Sequence, residues 1–470
     1  MSTNNSERIK YICFDFFLSG VAWGLFNVIR YYKVGHYVFS SLTTFFRDEE
    51  VRYGLLLIPM GWIILFYYSG YYNKPVGKSR LSELMTTLFS ILIGSLVIFF
   101  VVLLDDLPES FKIYYELFLI LFGLCFLLVY IPRLCITQSS TQKLKNRRWT
   151  SKALILGNGE KAKQISDRLN SLSNAGGYSI EGYIEIATQA NEKTCFTSAG
   201  NLDNLESLIQ EKKIQRLIVA IDSEDDKELL QLLYELYKYK LPIMLPVSHS
   251  RLLTGGLRIK TLTGAPLIDI TVNNFSDCEK NIKHSAELLI SFCSLILLSP
   301  LFLYLAIRIK MDSPGPALIK QERIGYMGKP FYIYKFRTMI ENAETGNPQL
   351  SSENDARITA FGKQLRKYRL DELPQFWNVL KQEMSLVGPR PERKYFIRQI
   401  IQQAPYYYLF HNVKPGITSW GMVKYGYAST VDQMVERLEY DLLYYDNMSL
   451  LLDMKILLYT IRTILTGKGI

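Results

Sequence analysis

Four long apolar runs open the chain, at about 11–29, 54–72, 84–104 and 114–136, each near the ~20 residues that a bilayer-spanning helix needs. Lys and Arg in the connections set their orientation. Arg8 and Lys10 precede the first run, Lys74, Lys78 and Arg80 fill the 73–83 loop, and Lys143, Lys145, Arg147 and Arg148 follow the fourth. The 105–113 loop instead carries Asp105, Asp106 and Glu109 against Lys112 alone. Both ends of the four-helix set are therefore expected in the cytoplasm, although the 30–53 loop is basic as well. Asp15, one turn into the first run, is expected at the membrane interface. A fifth apolar run, 288–307, is interrupted by Ser299-Pro300 and has Lys280 and Lys283 on one side and Arg308 and Lys310 on the other. A proline in mid-run removes a backbone hydrogen bond and bends a helix. The pattern fits either a kinked span or a broken helix that enters and leaves on one face.

Between the membrane runs the periodicity changes. Short apolar strands are predicted at Lys152–Leu156, Tyr178–Ile184, Arg216–Ile221 and Pro242–Pro246, with helices at 202–209 and 227–237. This is a small doubly wound α/β domain. Gly157-Asn158-Gly159-Glu160-Lys161-Ala162 follows the first strand as GxGxxA, the start of a dinucleotide-binding unit, so Gly157 and Gly159 form a possible nucleotide turn. Glu185 lies where a ribose-binding acid would sit, and Tyr234 and Lys238 have the Tyr-x-x-x-Lys spacing of short-chain oxidoreductases. About 125 residues leave little room for a complete dinucleotide fold with a substrate region. A scaffold or regulatory role is the expectation.

Past residue 314, two β-like runs, 317–324 and 331–339, flank the turn 325–330 as a hairpin. Phe331, Ile333, Lys335 and Arg337 share one face, with Tyr332, Tyr334 and Phe336 on the other; Gln321 and Arg323 share a face of the first strand. Such cations either grip phosphate oxygens or form a solvated face. In Arg366-Lys367-Tyr368-Arg369-Leu370-Asp371-Glu372-Leu373-Pro374-Gln375, the apolar helical pattern starts near 373 and Pro374 fits only a first turn. Asp371 is the expected N-cap, with Glu372 beside it. Two readings stand: a helix cap, or an ionised carboxylate available as nucleophile or metal ligand beside free N–H groups that suit a diphosphate.

Composition adds two constraints. Among 470 residues, 54 Lys+Arg against 44 Asp+Glu leave a net charge of +10, which suits anionic headgroups or a phosphorylated substrate. No basic stripe interleaved with stacking aromatics argues for nucleic acid. The six cysteines (Cys13, Cys125, Cys135, Cys195, Cys278, Cys293) and four histidines (His36, His249, His284, His411) have no zinc-ligand spacing, so reduced thiols are expected.

The stretch from about 280 to 470 resembles the catalytic domain of the bacterial sugar transferases, large polytopic polyprenyl-phosphate glycosylphosphotransferases that initiate exopolysaccharide, capsule or O-antigen synthesis. The matching motifs are Gln321-x-Arg323-x-Gly325, Lys335-Phe336-Arg337-Thr338-Met339, Leu370-Asp371-Glu372-Leu373-Pro374-Gln375, Gly388-Pro389-Arg390-Pro391, Lys414-Pro415-Gly416-Ile417-Thr418 and Ser449-x-x-x-Asp453. One departure is visible: many relatives continue Gly-Trp-Ala-Gln-Val where this chain reads Ser419-Trp420-Gly421-Met422-Val423. The resemblance implies transfer of a sugar-1-phosphate from a UDP-sugar, a UDP-hexose such as glucose or galactose, to undecaprenyl phosphate, with release of UMP. It implies Asp371 as the nucleophile of an aspartyl-phosphosugar intermediate and Glu372 assisting, with Mg²⁺ near both. Lys335, Arg337, Arg390, Gln321 and Arg323 would bind substrate. The Ser299-Pro300 break would make 284–310 a re-entrant membrane helix. The expected organisation is a four-helix transmembrane domain (1–148), a Rossmann-like α/β domain (149–278) and an α/β catalytic domain (279–470). The expected location is the bacterial inner (cytoplasmic) membrane, with the active site on the cytoplasmic face, membrane lipids as partners, no nucleic acid and a possible homodimer. Two other classes compete: a membrane-bound nucleotide-sugar oxidoreductase or dehydratase, and a non-enzymatic scaffold.

Overall fold

The computed structural model describes residues 2–103, 110–145, 151–171, 178–186, 199–221, 226–246, 267–271, 275–341, 343, 348–350 and 355–467. Asp105, Asp106, Glu109, Arg147, Arg148, Cys195 and His249 lie outside these residues. The chain divides into two compact units. One comprises Met1–Thr150 with Ser276–Ile282, the other Ser151–Phe275 with Lys283–Ile470. The α/β insert and the C-terminal third, expected as separate domains, thus fall within one unit.

In the first unit, α1 (Ser2–Lys33), α3 (Glu49–Tyr68), α4 (Arg80–Ile98) and α5 (Phe111–Lys145) are the four apolar helices, with a short α2 (Leu42–Arg47) after the first. Each of the four is long and apolar enough to cross a membrane. Trp23, Phe26, Trp62, Phe66, Ile91 and Leu121 pack inward. Phe17, Phe89, Leu119 and Leu127 point outward, as a helix set surrounded by lipid requires. Four apolar spans make this a membrane protein.

Asp15 is enclosed by neighbouring side chains at one end of the helix set. It is 1% exposed, and its carboxylate takes a two-pronged contact from Arg133 of α5, Nε at 2.8 Å and Nη2 at 2.6 Å. Arg133 Nη1 donates to Thr87 of α4 (2.9 Å), and the Tyr72 hydroxyl, just past α3, donates to Asp15 (2.8 Å). Glu83 accepts from Tyr71 and Thr137 at 2.5 and 2.7 Å. One end of all four helices is thereby tied by a buried ionic network. A charge in an apolar run is tolerated when a partner meets it, and Arg133 is that partner.

In the second unit a six-stranded sheet has the order β3-β2-β1-β4-β5-β6. Its strands are β1 (Ser151–Leu156), β2 (Tyr178–Glu185), β3 (Gly200–Asn201), β4 (Arg216–Val219), β5 (Ile243–Pro246) and β6 (Leu267–Asp269). All neighbours are parallel except β5–β6. Helices α6 (Glu160–Ser171), α7 (Leu205–Lys212) and α8 (Asp226–Tyr237) connect them. Leu154 and Leu156 pack on one face of β1, Ala153 and Ile155 on the other, so this strand is buried on both sides.

After α9 (Asp277–Leu297) the chain bends by 60° into α10 (Ser299–Asp312). Pro300 occupies the first turn of α10, where its missing N–H costs nothing, and Ser299 Oγ bonds back to the Ile296 carbonyl (2.7 Å). Strands β7 (Leu318–Ile324) and β8 (Pro330–Phe336) form the expected antiparallel hairpin, pairing Gln321 with Ile333 and Arg323 with Phe331. Beyond them lie α11 (Ala360–Lys367), α12 (Phe376–Leu380), the parallel pair β9 (Ser385–Val387) and β10 (Gly416–Thr418), α13 (Lys394–Gln403), α14 (Trp420–Lys424), α15 (Val431–Asp446) and α16 (Leu450–Leu465). The two residues of the Ser449-x-x-x-Asp453 motif have structural partners here. Ser449 caps α16 by accepting from Leu452 N–H, and Asp453 pairs with Lys283 of α9 at 2.6 Å. Glu287 of α9 also accepts from Ser385 Oγ and Leu386 N–H, so α9 is bolted to β9.

Candidate active site

Cations and carboxylates converge because the hairpin lies against the Asp371–Glu372 segment. The segment Leu370–Gln375 is a 3₁₀ helix that continues into α12. Its N-cap is Arg369, in the left-handed conformation (φ 51°, ψ 27°), with no side-chain capping bond. Asp371 is therefore inside the first turn rather than the cap expected from Pro374. Asn378, fully buried on α12, fixes the segment against β8: Oδ1 accepts from Tyr334 N–H (3.1 Å), and Nδ2 donates to the Tyr332 carbonyl (2.7 Å) and to Glu383 (2.8 Å).

That docking places Lys335 Nζ 2.9 Å from Glu372 Oε1. Arg390 approaches the same oxygen at 3.5 Å, and Arg369 approaches Oε2 at 3.7 Å. Arg390 is delivered by two adjacent segments: Gly388 N–H bonds to the Thr418 carbonyl (3.1 Å) and Gly416 N–H to that of Pro389 (2.9 Å). A Cβ on either glycine would run into the other's backbone, so both must lack a side chain.

The two carboxyl groups are shifted in opposite directions. Burial raises the Glu372 pKa, but Lys335, Arg390 and Arg369 overcome it and hold the group far below the usual carboxylate range. Asp371 is pushed up to about 6 by burial and then by Glu372, against partial compensation from Lys335, Arg366 and Arg369. Among the described residues its carboxylate accepts no hydrogen bond and has no ion pair. Burial thus outweighs the cations nearest Asp371 and raises its pKa, yet at about 6 the group is still mostly a carboxylate at neutral pH.

A cavity of about 640 Å³ opens onto these groups. Its wall includes Gln321, Arg323, Lys335, Arg366, Asp371, Glu372 and Arg390. Gln321 and Arg323 do share one face of β7, but Arg323 is engaged with Gln321 (2.7 Å) and Glu392 (3.2 Å), and Glu392 also receives Arg437 (2.7 Å). Arg337 lines the cavity, yet its terminal nitrogens donate to the Pro314 and Ser313 carbonyls at 2.7 and 2.6 Å, so it secures the turn after α10. Arg366, whose Nε donates to Thr338 Oγ1 (2.9 Å), is the cation that the sequence reading underweighted, together with the positioning residues Asn378 and Glu392. An amide inside an apolar helix was the available signal for Asn378. Nothing in the spacing marked Glu392 as a bridge between two arginines.

In the sheet, Gly157 ends β1 with φ 123°, a conformation that favours glycine, and α6 begins just after Gly159. Glu185 ends β2 half-buried. The Tyr234 ring packs toward Tyr406 (6.3 Å between centroids), and Lys238 lies over its neighbour Tyr239 (4.9 Å), so that pair is accounted for by packing.

The family described as bacterial sugar transferase matches residues 278–467, and the family described as CoA-binding domain matches residues 68–245. An Aeromonas hydrophila UDP-N-acetylgalactosamine-undecaprenyl-phosphate N-acetylgalactosaminephosphotransferase is 42% identical over 48% of this chain and 53% of its own length. A UDP-glucose:undecaprenyl-phosphate glucose-1-phosphate transferase of Escherichia coli (strain K12) is 33% identical over 56% of this chain and 57% of its own length. The chain thus spans about half the length of these two relatives. A sugar transferase of Bacillus subtilis (strain 168) is 38% identical over 40% of this chain and 86% of its own length. The sugar-transferase match spans the residues that build the cavity, and the chain belongs to the bacterial sugar transferase family.

Proposed function

We propose that the protein transfers a sugar-1-phosphate from a UDP-sugar to undecaprenyl phosphate. The observation that carries this reading is the division of labour between the two carboxylates. Glu372 is matched by three cations, whereas Asp371 has no hydrogen-bond or ion-pair partner among the described residues and lies at the wall of a cationic cavity. In its ionised form Asp371 attacks the sugar-linked phosphorus. An aspartyl O–P bond forms, the bond to the UMP oxygen breaks and UMP leaves. An oxygen of undecaprenyl phosphate then attacks the same phosphorus, which frees Asp371 and yields the diphosphate-linked sugar lipid. Lys335, Arg366, Arg369 and Arg390 offset the charge that builds on the phosphate oxygens.

Mg²⁺ fits this site only in part. Among the described residues no three metal-ligating side chains cluster, and the Glu372 charge is already matched. Asp371 is the side chain that would hold a Mg²⁺ ion, which commonly uses one or two carboxylates plus substrate phosphates. When bound it supplies further charge neutralisation.

We further infer that α9 and α10 form a re-entrant pair, with the active site at the cytoplasmic face of the inner membrane. The 60° bend at Ser299-Pro300 and the basic flanks at both ends support this. Leu451, Met454, Leu458, Ile461 and Leu465 make an exposed stripe along α16 that suits the same interface.

The test is UMP release by the full chain with Mg²⁺, undecaprenyl phosphate and a panel of UDP-hexoses and N-acetylhexosamines. Lipid-dependent release with one hexose donor is expected, and no release with any donor would overturn the reading. Cysteines placed at 280 and 310 should both label from the cytoplasm. Periplasmic labelling at 310 would refute the re-entrant pair.

A further inference from the structure

We propose that Met422 is a positioning residue that sets affinity for the donor's diphosphate. This rests on the nucleotide-sugar reading above. Met422 is 4% exposed and lines the cavity. Its sulfur lies 3.3 Å from Arg390 Nη1 and 3.9 Å from Arg369 Nη1, the two guanidinium nitrogens that also face Glu372. Both arginines are thus held between a carboxylate and a thioether.

The placement is built rather than incidental. Ser419 caps α14 by accepting from Met422 N–H (3.0 Å), and Gly421 N–H donates to Asp441 of α15 (2.8 Å). A Cβ at Gly421 would stand 2.7 Å from the Arg437 backbone oxygen, so only glycine lets α14 sit this close. Met422 has little freedom to move its sulfur away.

A thioether is a weak acceptor. It fills the space behind the two arginines and keeps them oriented, but leaves their N–H groups free for phosphate oxygens. The loose contacts to Glu372, 3.5 and 3.7 Å, leave the same capacity. Arg369 Nε is buried without a hydrogen-bond partner among the described residues. An amide oxygen at the sulfur position would accept a strong, charge-assisted bond and compete with the substrate. The thioether therefore gives a weaker internal acceptor and a freer pair of arginines.

The test compares Met422→Gln and Met422→Leu in the full chain in nanodiscs, with UDP binding measured by calorimetry and donor and lipid KM measured by UMP release. Met422→Gln should weaken UDP binding and raise donor KM about tenfold, the effect of one competing bond of about 1.4 kcal/mol. The lipid KM should change less than about threefold, and any fall in kcat should be smaller than the rise in donor KM. Met422→Leu, which keeps the shape, should weaken UDP binding by no more than about threefold. Unchanged UDP affinity in Met422→Gln would overturn the proposal while leaving the transferase reading intact. Equal losses in kcat and both KM values would also overturn it, since they mark a merely structural role. Failure of the parent protein to bind UDP would overturn both.

Discussion

Replacing Asp371 with Asn separates the two properties assigned to this residue, chemistry and stored cost. Asp371 is 8% exposed, and its carboxyl is pushed up from 3.8 to about 6, by burial first and by Glu372 second. An unfolded chain gives up this proton near pH 4. Between about pH 4 and 6 the folded protein therefore binds more protons than the unfolded one, so stability falls as pH rises through that window and stays lower above it. The displacement is worth about 3 kcal/mol. Asn cannot ionise, and the desolvation of its amide does not vary with pH. About 1.4 kcal/mol of that displacement falls between pH 5 and pH 8, so the melting temperature of Asp371→Asn relative to the parent should climb by about 2 °C over that range, at about 1.5 °C per kcal/mol for a unit of more than about 300 residues. UMP release should be lost. Thermal unfolding of the full chain across pH, paired with the release assay, reads both. A temperature gap independent of pH would mean that the Asp371 charge is not suppressed, and near-parental turnover would remove it as nucleophile.

Two other perturbations test the charge arrangement. Lys335→Met removes the shortest contact to Glu372, 2.9 Å. Arg390 and Arg369 remain, so the cost should lie at the low end of the ~3–5 kcal/mol seen when one partner of a buried pair is lost. Lys335 also lowers the Asp371 pKa, so the acid limb of the rate–pH profile should move to higher pH. A denaturation curve and a pH profile check both, and an unmoved acid limb would sink the assignment. In the membrane unit, Asp15→Ala strands Arg133, which is itself 1% exposed, and should cost about 3–5 kcal/mol. Asp15→Ala with Arg133→Leu should cost less than Asp15→Ala alone, and a double variant no more stable than Asp15→Ala would deny the pairing.

Much of the fold was legible because it rests on local periodicity. The four apolar runs became α1, α3, α4 and α5, and the strand predicted at Lys152–Leu156 begins one residue earlier. The hairpin register followed from the turn between two alternating runs, and it put Lys335 on the face shared with Gln321 and Arg323. Long-range pairing was not legible. Arg133 lies 118 residues from Asp15, and Lys283 lies 170 residues from Asp453. Arg337 shares the β8 face by parity, but the strand ends at Phe336 and the turn at Ser313–Pro314 claims its guanidinium. Alternation holds only while the strand lasts.

Asp371 and Glu372 are the sharpest case, because neighbours in sequence have opposite fates in space. A 3₁₀ helix turns about 120° per residue. If one side chain faces the hairpin and Arg390, the next must point about a third of a turn away. The left-handed Arg369 fixes the start of that helix, and Asn378 fixes its height against β8, so it is Glu372 that meets Lys335. A regular α-helix beginning at Asp371 as cap would have spent that carboxylate on backbone N–H groups. The 3₁₀ turn leaves it without a hydrogen bond among the described residues, and burial raises its pKa. The three cations that neutralise Glu372 also sit near enough to shift Asp371 in part. The site therefore keeps one permanent negative charge, which gathers the cations, and one carboxylate whose pKa burial holds above its usual value. On this reading Glu372→Gln should damage the site by releasing Lys335 and Arg390 from their shared anchor, even though Glu372 itself attacks nothing.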